Sequence, residues 1–175
     1  MRRKRPHVHR EAVSGFTLLE VMITVTILSI ILFIGIPGFS SMFESARERA
    51  AASSFVTAVS LARSEALTRN TFTHVCVMDA CGAGSREIRV QAENDDSTLE
   101  LLRVWDVERN VAYEQAGNPG VTIRFAALGL AVDNSGQQLM APQSVDVMDT
   151  SKGTAKVLAS YCIAVTGSLT KGGCQ

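Results

Sequence analysis

One long apolar segment near the N-terminus limits what this 175-residue chain can fold into. It covers residues 16–36, and Glu20 is its only charged residue. At ~1.5 Å rise per residue, a helix of that length spans about 30 Å, the thickness of a bilayer's hydrocarbon core. A cleaved signal peptide has a shorter apolar region of roughly 7–15 residues that ends in small residues. Here Pro37 and Gly38 end or kink the helix instead, so the sequence predicts a transmembrane helix over 16–39.

Charge is distributed unevenly around that segment. The whole chain is neutral, with 17 basic and 17 acidic residues, but residues 1–15 hold five basic residues and one acidic residue. A basic flank marks the cytoplasmic side of a membrane span, which predicts a cytoplasmic N-terminus and places residues 40–175 outside the cytoplasm. The part that follows the leader is mildly acidic, which argues against nucleic-acid binding through bulk charge.

A helical pattern resumes after the apolar segment and ends near Asn70. Residues 40–70 are rich in helix-forming residues, and charged residues such as Arg63 lie off the apolar face. We therefore predict an amphipathic continuation of the helix over 40–70. Its apolar stripe has the spacing i, i+4, i+7, i+11 and consists of Phe55, Val59, Ala62 and Ala66.

Residues 71–175 are predicted to form a β-rich globular domain. Short β-branched segments alternate with turn-forming residues, and no βαβ alternation indicates a parallel nucleotide-binding sheet. The fold class is therefore α+β, with a long N-terminal helix packed on an antiparallel β domain. The candidate strands are 71–78, 86–92, 99–107, 121–125 and 161–165.

Four cysteines lie in the predicted β domain, at Cys76, Cys81, Cys162 and Cys174. An even number of cysteines outside the cytoplasm favours disulfides. Four cysteines allow three pairings, and the two local pairs, Cys76–Cys81 and Cys162–Cys174, are favoured. A zinc site needs paired ligands separated by two to four residues, usually with histidine among them. Because only His74 lies near, we predict no metal site.

The residues at the membrane junction form a specific motif, Gly15-Phe16-Thr17-Leu18-Leu19-Glu20-Val21. It resembles the prepilin cleavage motif of the type IV pilin and type II secretion pseudopilin superfamily. The resemblance implies that a prepilin peptidase cuts after Gly15 and methylates the new amino group of Phe16. Residues 1–15 would then be a cleaved leader. Glycine at the cut suits a peptidase cleft because it adds the least bulk to an extended backbone.

Glu20 needs a partner if it lies in a membrane. A carboxylate at the centre of a transmembrane helix costs roughly 2.5–3.5 kcal/mol on insertion scales, and the positive end of the helix dipole favours it in the first turn. The resemblance implies that Glu20 pairs with the N-terminal amine of a neighbouring subunit and so sets register in a filament. The alternative is a carboxylate near the lipid headgroups with access to water.

Later segments resemble one branch of that superfamily, the GspH/FimT-like minor pilins and pseudopilins. The segment 61–70 resembles the helix end of this family, and 122–125 with Gly129, together with Cys162, Gly167 and Cys174, resembles its later strands. The resemblance implies the type IV pilin fold, an inner-membrane anchor with a periplasmic domain, and partnership with other pilin or pseudopilin subunits. It implies a structural role in initiating or capping a type IV pilus or a type II secretion pseudopilus.

Some members of the family bind DNA during natural transformation through a C-terminal loop that contains two arginines. The matching segment 167–173 lacks both arginines and keeps only Lys171 as a candidate DNA contact. A pilus-associated DNA receptor is therefore the alternative function, and we expect DNA to be an unfavoured partner.

Enzymatic activity and cofactors are not expected. His7 and His9 belong to the leader, so His74 would be the only histidine of the processed chain. A Ser-His-Asp site has no credible candidate there, and the sequence contains no cofactor motif.

Overall fold

The computed structural model describes residues 15–151 and 153–174, apart from the side chains of residues 34–41 and 44. Lys152 and the first 14 residues of the predicted leader lie outside this description. The chain divides into two compact units, Met1–Phe43 and Glu44–Gln175. Helix α1 (Leu18–Arg69) supplies residues to both units. The second unit contains all the strands of the described residues.

Ten strands follow α1 in the described chain. They are β1 (Thr73–Val77), β2 (Glu87–Glu93), β3 (Leu99–Asp106), β4 (Val111–Gln115), β5 (Asn118–Pro119), β6 (Val121–Phe125), β7 (Ala131–Val132), β8 (Gln143–Asp149), β9 (Lys156–Ile163) and β10 (Leu169–Lys171). A short 3-10 helix, Met78–Cys81, follows β1.

The strands form two five-stranded sheets. The first has the order β3-β2-β1-β6-β7 and the second the order β10-β9-β8-β4-β5. All the strand pairs are antiparallel. Together with α1 they confirm the predicted α+β class.

The second half of α1 carries the predicted apolar stripe into the core of the second unit. Phe55, Val59, Ala62 and Ala66 are all buried. The helix ends at Arg69, and Asn70 adopts a left-handed conformation with φ of 54°. The amide of Thr71 then donates to the carbonyl of Ala66 at 3.3 Å. This is the hydrogen bond of a Schellman C-cap, in which asparagine can take the position usually held by glycine.

Both sheets contact this part of α1. The ring of Phe55 lies 5.7 Å from that of Tyr113 and 5.8 Å from that of Tyr161, two residues of the second sheet. The Tyr113 hydroxyl donates to the Ala51 carbonyl at 2.9 Å. From the first sheet, the buried Thr73 hydroxyl donates to a carbonyl of α1 at 2.8 Å. In the core of the second unit, the second half of α1 therefore packs against both sheets.

Much of the second sheet was missed by the sequence prediction. Strands β4 and β8 were not among the candidates, and the predicted strand 161–165 is the end of the longer β9. In β8 only Val145 and Val147 are fully buried, between polar neighbours such as Asp146. Two buried valines separated by aspartate, a residue that is uncommon in strands, give a weak sequence signal.

Candidate functional site

The N-terminal motif lies where α1 begins. Thr17 precedes the first helical residue, and its hydroxyl oxygen accepts a hydrogen bond from the Glu20 amide at 3.2 Å. The Thr17 carbonyl accepts the first helical bond, from Val21 at 3.2 Å. Thr-x-x-Glu is the spacing of a capping box. The sequence therefore fixes the helix start and places Glu20 in the first turn, where the helix dipole favours an acid.

Gly15 and Phe16 precede the helix without regular structure. A Cβ atom built on Gly15 would meet no described atom within 4 Å. The side chain of Phe16 is 81% exposed. Within the described residues, packing therefore neither excludes a side chain at position 15 nor buries Phe16.

The first unit exposes an apolar surface over the described part of α1. Large apolar side chains from Leu18 to Phe33 are about half exposed or more. Its few hydroxyls bond to carbonyls in the preceding turn. The Thr24 hydroxyl donates to Val21 and that of Thr26 to Met22. The hydrogen-bonding capacity of these hydroxyl groups is therefore partly satisfied within the helix.

In the described part of the chain, no helix combines the length and the mean hydropathy that a membrane crossing requires.

Arg63 joins one turn from each sheet in the second unit. Its Nε donates to the carbonyl of Gly129 at 3.2 Å, and its Nη2 donates to the carbonyl of Thr166 at 3.0 Å. Gly129 lies in the β6–β7 turn, and Thr166 precedes Gly167 in the β9–β10 turn. The sequence prediction placed Arg63 only off the apolar stripe and missed this contact. Gly129 and Gly167, the glycines of these two turns, are the sequence features that could have indicated the contact.

The structure joins Cys76 to Cys81 and Cys162 to Cys174. The Cα atoms of the first pair are 5.1 Å apart, and those of the second pair are 5.0 Å apart. The first bond ties β1 to the short 3-10 helix. The second ties β9 to the end of the described chain, so each disulfide anchors an irregular segment to a strand.

Lys171, the candidate DNA contact, is the last residue of β10. It lies opposite Tyr161 of β9, and its side chain is exposed. The next residue, Gly172, donates its amide to the Ser160 carbonyl at 2.8 Å. Lys171 is therefore placed on an ordered hairpin.

Two arginines that could have added to a basic patch are bound to other groups. Arg86 donates to the carbonyl oxygens of Glu108 and Val111. Arg89 pairs with the carboxylate of Glu87. These guanidinium groups would have to leave protein partners before they could bind phosphates.

His74 belongs to a charged cluster on the first sheet. Its Nε2 lies 3.4 Å from Oε2 of Glu93, and the same oxygen accepts a bond from Arg124 at 2.8 Å. The guanidinium of Arg124 also lies 4.3 Å from the ring centre of Phe72. Burial lowers the pKa of His74 despite the Glu93 carboxylate, while Arg124 lowers the pKa of Glu93. The arrangement is an ion cluster on the sheet surface.

Two family models match the chain. The model described as type II transport protein GspH matches residues 51–167, and the model described as prokaryotic N-terminal methylation motif matches residues 12–36. The first match covers the apolar stripe of α1, the turn residues Gly129 and Gly167, and most of both sheets. The second covers the motif at the start of α1. Comparison with curated proteins gives no match.

Solved structures of two proteins share the fold. The type IV minor pilin FimU of Pseudomonas aeruginosa (strain PAO1) superposes with a TM-score of 0.55 at 14% sequence identity, covering 75% of this chain and 92% of that chain. The minor pseudopilin EpsH from the type 2 secretion system of Vibrio cholerae superposes with a TM-score of 0.51 at 12% identity, covering 73% of this chain and 97% of that chain. They confirm the predicted type IV pilin-like fold.

The GspH match spans more than half of the chain and agrees with the fold and with the N-terminal motif. The chain therefore belongs to the GspH family, the minor pilin and pseudopilin family that its sequence resembles, and its role as a subunit in pilus or pseudopilus assembly follows from that membership.

Proposed function

We propose that this chain is a structural minor subunit that helps to initiate or cap a type IV pilus or a type II secretion pseudopilus. The observation that carries the proposal is the match to the N-terminal methylation motif over residues 12–36, joined to a GspH-type domain over residues 51–167. The N-terminal motif would direct processing and assembly of the subunit, and the GspH-type domain would be the folded unit that is assembled. The proposed role is structural and not enzymatic.

Maturation by a prepilin peptidase is the first step. The peptidase cuts between Gly15 and Phe16 and methylates the Phe16 amine. No described atom lies within 4 Å of a Cβ built on Gly15. This supports the step, because a residue in open surroundings can enter a peptidase cleft without unfolding the described part of the chain. Thr17 caps the helix immediately afterwards, so the cut leaves α1 intact.

After the cut, Glu20 lies in the first turn of a helix that begins next to a positively charged amine. We propose that its carboxylate pairs with the Phe16 amine of the neighbouring subunit. The cap at Thr17 supports this role because it orders the turn that carries Glu20. Pairing would also offset the cost of burying a carboxylate in an apolar environment.

The proposed location is the inner membrane before assembly, with the N-terminus in the cytoplasm and the globular unit in the periplasm. The exposed apolar surface of the described residues 16–33 supports a lipid environment. The two disulfides support an oxidising compartment for the second unit.

Intact mass of the membrane-extracted protein tests the proposal. With active peptidase, the mass should correspond to a chain that begins at Phe16 and carries one added methyl group. Gly15→Trp should stay unprocessed yet remain in the membrane. Gly173→Trp is the matched control, because a Cβ at Gly173 also meets no described atom within 4 Å. A wild-type chain that still begins at Met1 in peptidase-positive cells would refute the assignment.

A further inference from the structure

A small cleft opens between α1 and the β9–β10 turn of the second unit. The helix lines it with Val56, Ser60 and Arg63, which are spaced i, i+4 and i+7 and therefore share one face of α1. The turn lines it with Ser168 and Leu169. The cleft has a volume of about 260 Å³, below the roughly 300–1,000 Å³ of pockets that bind small molecules and cofactors. Its size suits one or two protein side chains rather than a cofactor.

The turn that forms the second wall of the cleft is ordered by its own hydrogen bonds. The Gly167 amide donates to the Ala164 carbonyl at 2.8 Å, and the Ala164 amide donates to the Ser168 carbonyl at 2.9 Å. Arg63 fastens this turn to α1, because its Nη2 donates to the Thr166 carbonyl at 3.0 Å. The two walls are therefore in place before a partner binds, which lowers the entropy cost of binding.

The charge of Arg63 is not balanced by a carboxylate in the described chain. Its hydrogen bonds go to neutral carbonyls, those of Gly129 and Thr166. The guanidinium groups of Arg69 and Arg124, in contrast, each bind a glutamate. A guanidinium has five N–H donors, so three donors of the half-buried Arg63 have no partner among the described residues. Free donors on a half-buried cation favour an anionic group beside it.

The rest of the cleft lining is aliphatic or carries a hydroxyl group. Val56 and Leu169 are partly buried against the core, and Val59, which also lines the cleft, is fully buried. Ser60 and Ser168 contribute hydroxyl groups. The lining therefore combines a cation with an aliphatic surface. The group that complements it is a carboxylate next to an aliphatic side chain.

We propose that this cleft is a docking site for another protein subunit, which inserts an aliphatic side chain beside Val56 and Leu169 and places an adjacent carboxylate on Arg63. The first wall is the side of α1 and not its end, so a subunit anchored next to this one in the same membrane reaches the cleft without inverting its own helix. The inference goes beyond the proposed role because it names a recognition surface and the chemistry of the partner. It does not depend on cleavage at Gly15 or on pairing at Glu20.

Titration of the detergent-solubilised full-length chain with a short capped peptide tests the site. In this peptide glutamate precedes leucine, and NMR follows the Nε–H of Arg63 and the amides of Ser168 and Leu169. We expect these signals to shift saturably at millimolar peptide. Replacing the peptide's glutamate by glutamine should weaken binding at least about tenfold, because a charge-assisted hydrogen bond is lost. No saturable shift, or equal binding of the two peptides, would overturn the proposal.

Two further ligands separate the aliphatic contact from the ionic one. A peptide with glycine in place of leucine should bind at least about threefold more weakly, because it buries less apolar surface. Inorganic phosphate should also bind more weakly than the first peptide, since it makes no use of Val56 and Leu169. Equal binding of the glycine peptide, or phosphate binding as tight as that of the first peptide, would indicate a general anion site and overturn the proposal.

A carboxylate supplied from within the chain tests the role of Arg63 without removing its bonds to the two turns. Ser60→Glu places an acid three residues before Arg63 on the same face of α1, so it should bind the guanidinium and lower the affinity for the first peptide at least about fivefold. Ser53→Glu is the matched control, because it adds the same charge to an exposed position of α1 that does not line the cleft. Its effect should stay within about twofold, since distant exposed charges are screened. Equal affinities in the two variants, with spectra of a folded chain in both, would overturn the proposal.

Discussion

Gly167 lies directly against Gly129, so that a Cβ atom added to Gly167 would stand only 2.0 Å from the Gly129 carbonyl oxygen. Gly129 belongs to the first sheet's β6–β7 turn and Gly167 to the second sheet's β9–β10 turn. Arg63 of α1 donates to the same Gly129 oxygen at 3.2 Å. One helix side chain and two turns therefore meet at a point where the backbones leave no room for a side chain.

Gly167→Ala should destabilise the second unit strongly. The added methyl group would clash with the backbone of Gly129. The φ of 75° at Gly167 already disfavours a side chain. Overpacking typically costs about 1–3 kcal/mol, and the clash with a backbone carbonyl argues for the upper end. Chemical denaturation followed by circular dichroism measures the loss. Gly153→Ala is the control, since its φ of 74° is nearly the same but nothing lies within 4 Å. Equal losses for both variants would contradict the close approach as the cause.

Local patterns predicted the helix well, but they could not predict this junction. Phe55 and Val59 signal their burial through spacing along one helix, and Asn70 marks the helix end in the same local way. Arg63 gives no such signal, because the carbonyls that it contacts lie 66 and 103 residues further along the chain. Strand β8 was missed for a related reason: its apolar face becomes evident only when it pairs with β4 and β9.

Glu20→Gln should impair assembly while leaving membrane insertion intact. The substitution removes the charge but keeps the backbone amide that bonds to Thr17, so the helix start should persist. Insertion should be no worse than in the wild type, since an intramembrane carboxylate is lost. Co-purification with other pilin or pseudopilin subunits measures assembly, and Glu65→Gln serves as a control in the second half of the helix. Wild-type recovery of Glu20→Gln would count against its role in setting register.

Removal of the Cys162–Cys174 bond should lower stability by about 3 kcal/mol in the chain-entropy model. The bond spans a sequence separation of 12 and anchors β10 and the following residues to β9. The double variant Cys162→Ser/Cys174→Ser should therefore unfold at lower denaturant concentration. The Cys76→Ser/Cys81→Ser variant should lose less, because its loop has a separation of only 5. Non-reducing peptide mapping checks the pairing first, and free thiols or crossed pairs would contradict it.

The stability of the second unit should fall as the pH drops below about 6.5, the ordinary pKa of histidine. Burial lowers the pKa of His74 in the folded state, so the unfolded chain binds the proton more readily. Stability is then fully present above the unfolded pKa and is lost as the pH falls toward the folded pKa. Denaturation curves between about pH 5 and 8 measure the slope, and His74→Gln should remove it. If the pH dependence of stability is unchanged in His74→Gln, a group other than His74 is responsible for it.

The second unit should bind duplex DNA no more tightly than non-specifically. Affinity for DNA grows with the number of cations that neutralise phosphates. The C-terminal hairpin offers only Lys171, while Arg86 and Arg89 already bind protein groups. Fluorescence anisotropy at about 150 mM salt, with residues 44–175, measures the affinity. This unit contains the whole buried core of the described chain.

Lys171→Ala should change that weak affinity little, and no more than Lys156→Ala, which removes an exposed lysine at the start of β9. The loss of one phosphate contact changes the slope of log affinity against log salt concentration by only about one. Neither variant should therefore abolish binding. Replacing Thr170 by Arg beside Lys171 should strengthen binding at low salt, because it adds a cation on the exposed hairpin. Sub-micromolar binding by the wild type that is lost specifically in Lys171→Ala would instead identify the hairpin as a DNA receptor.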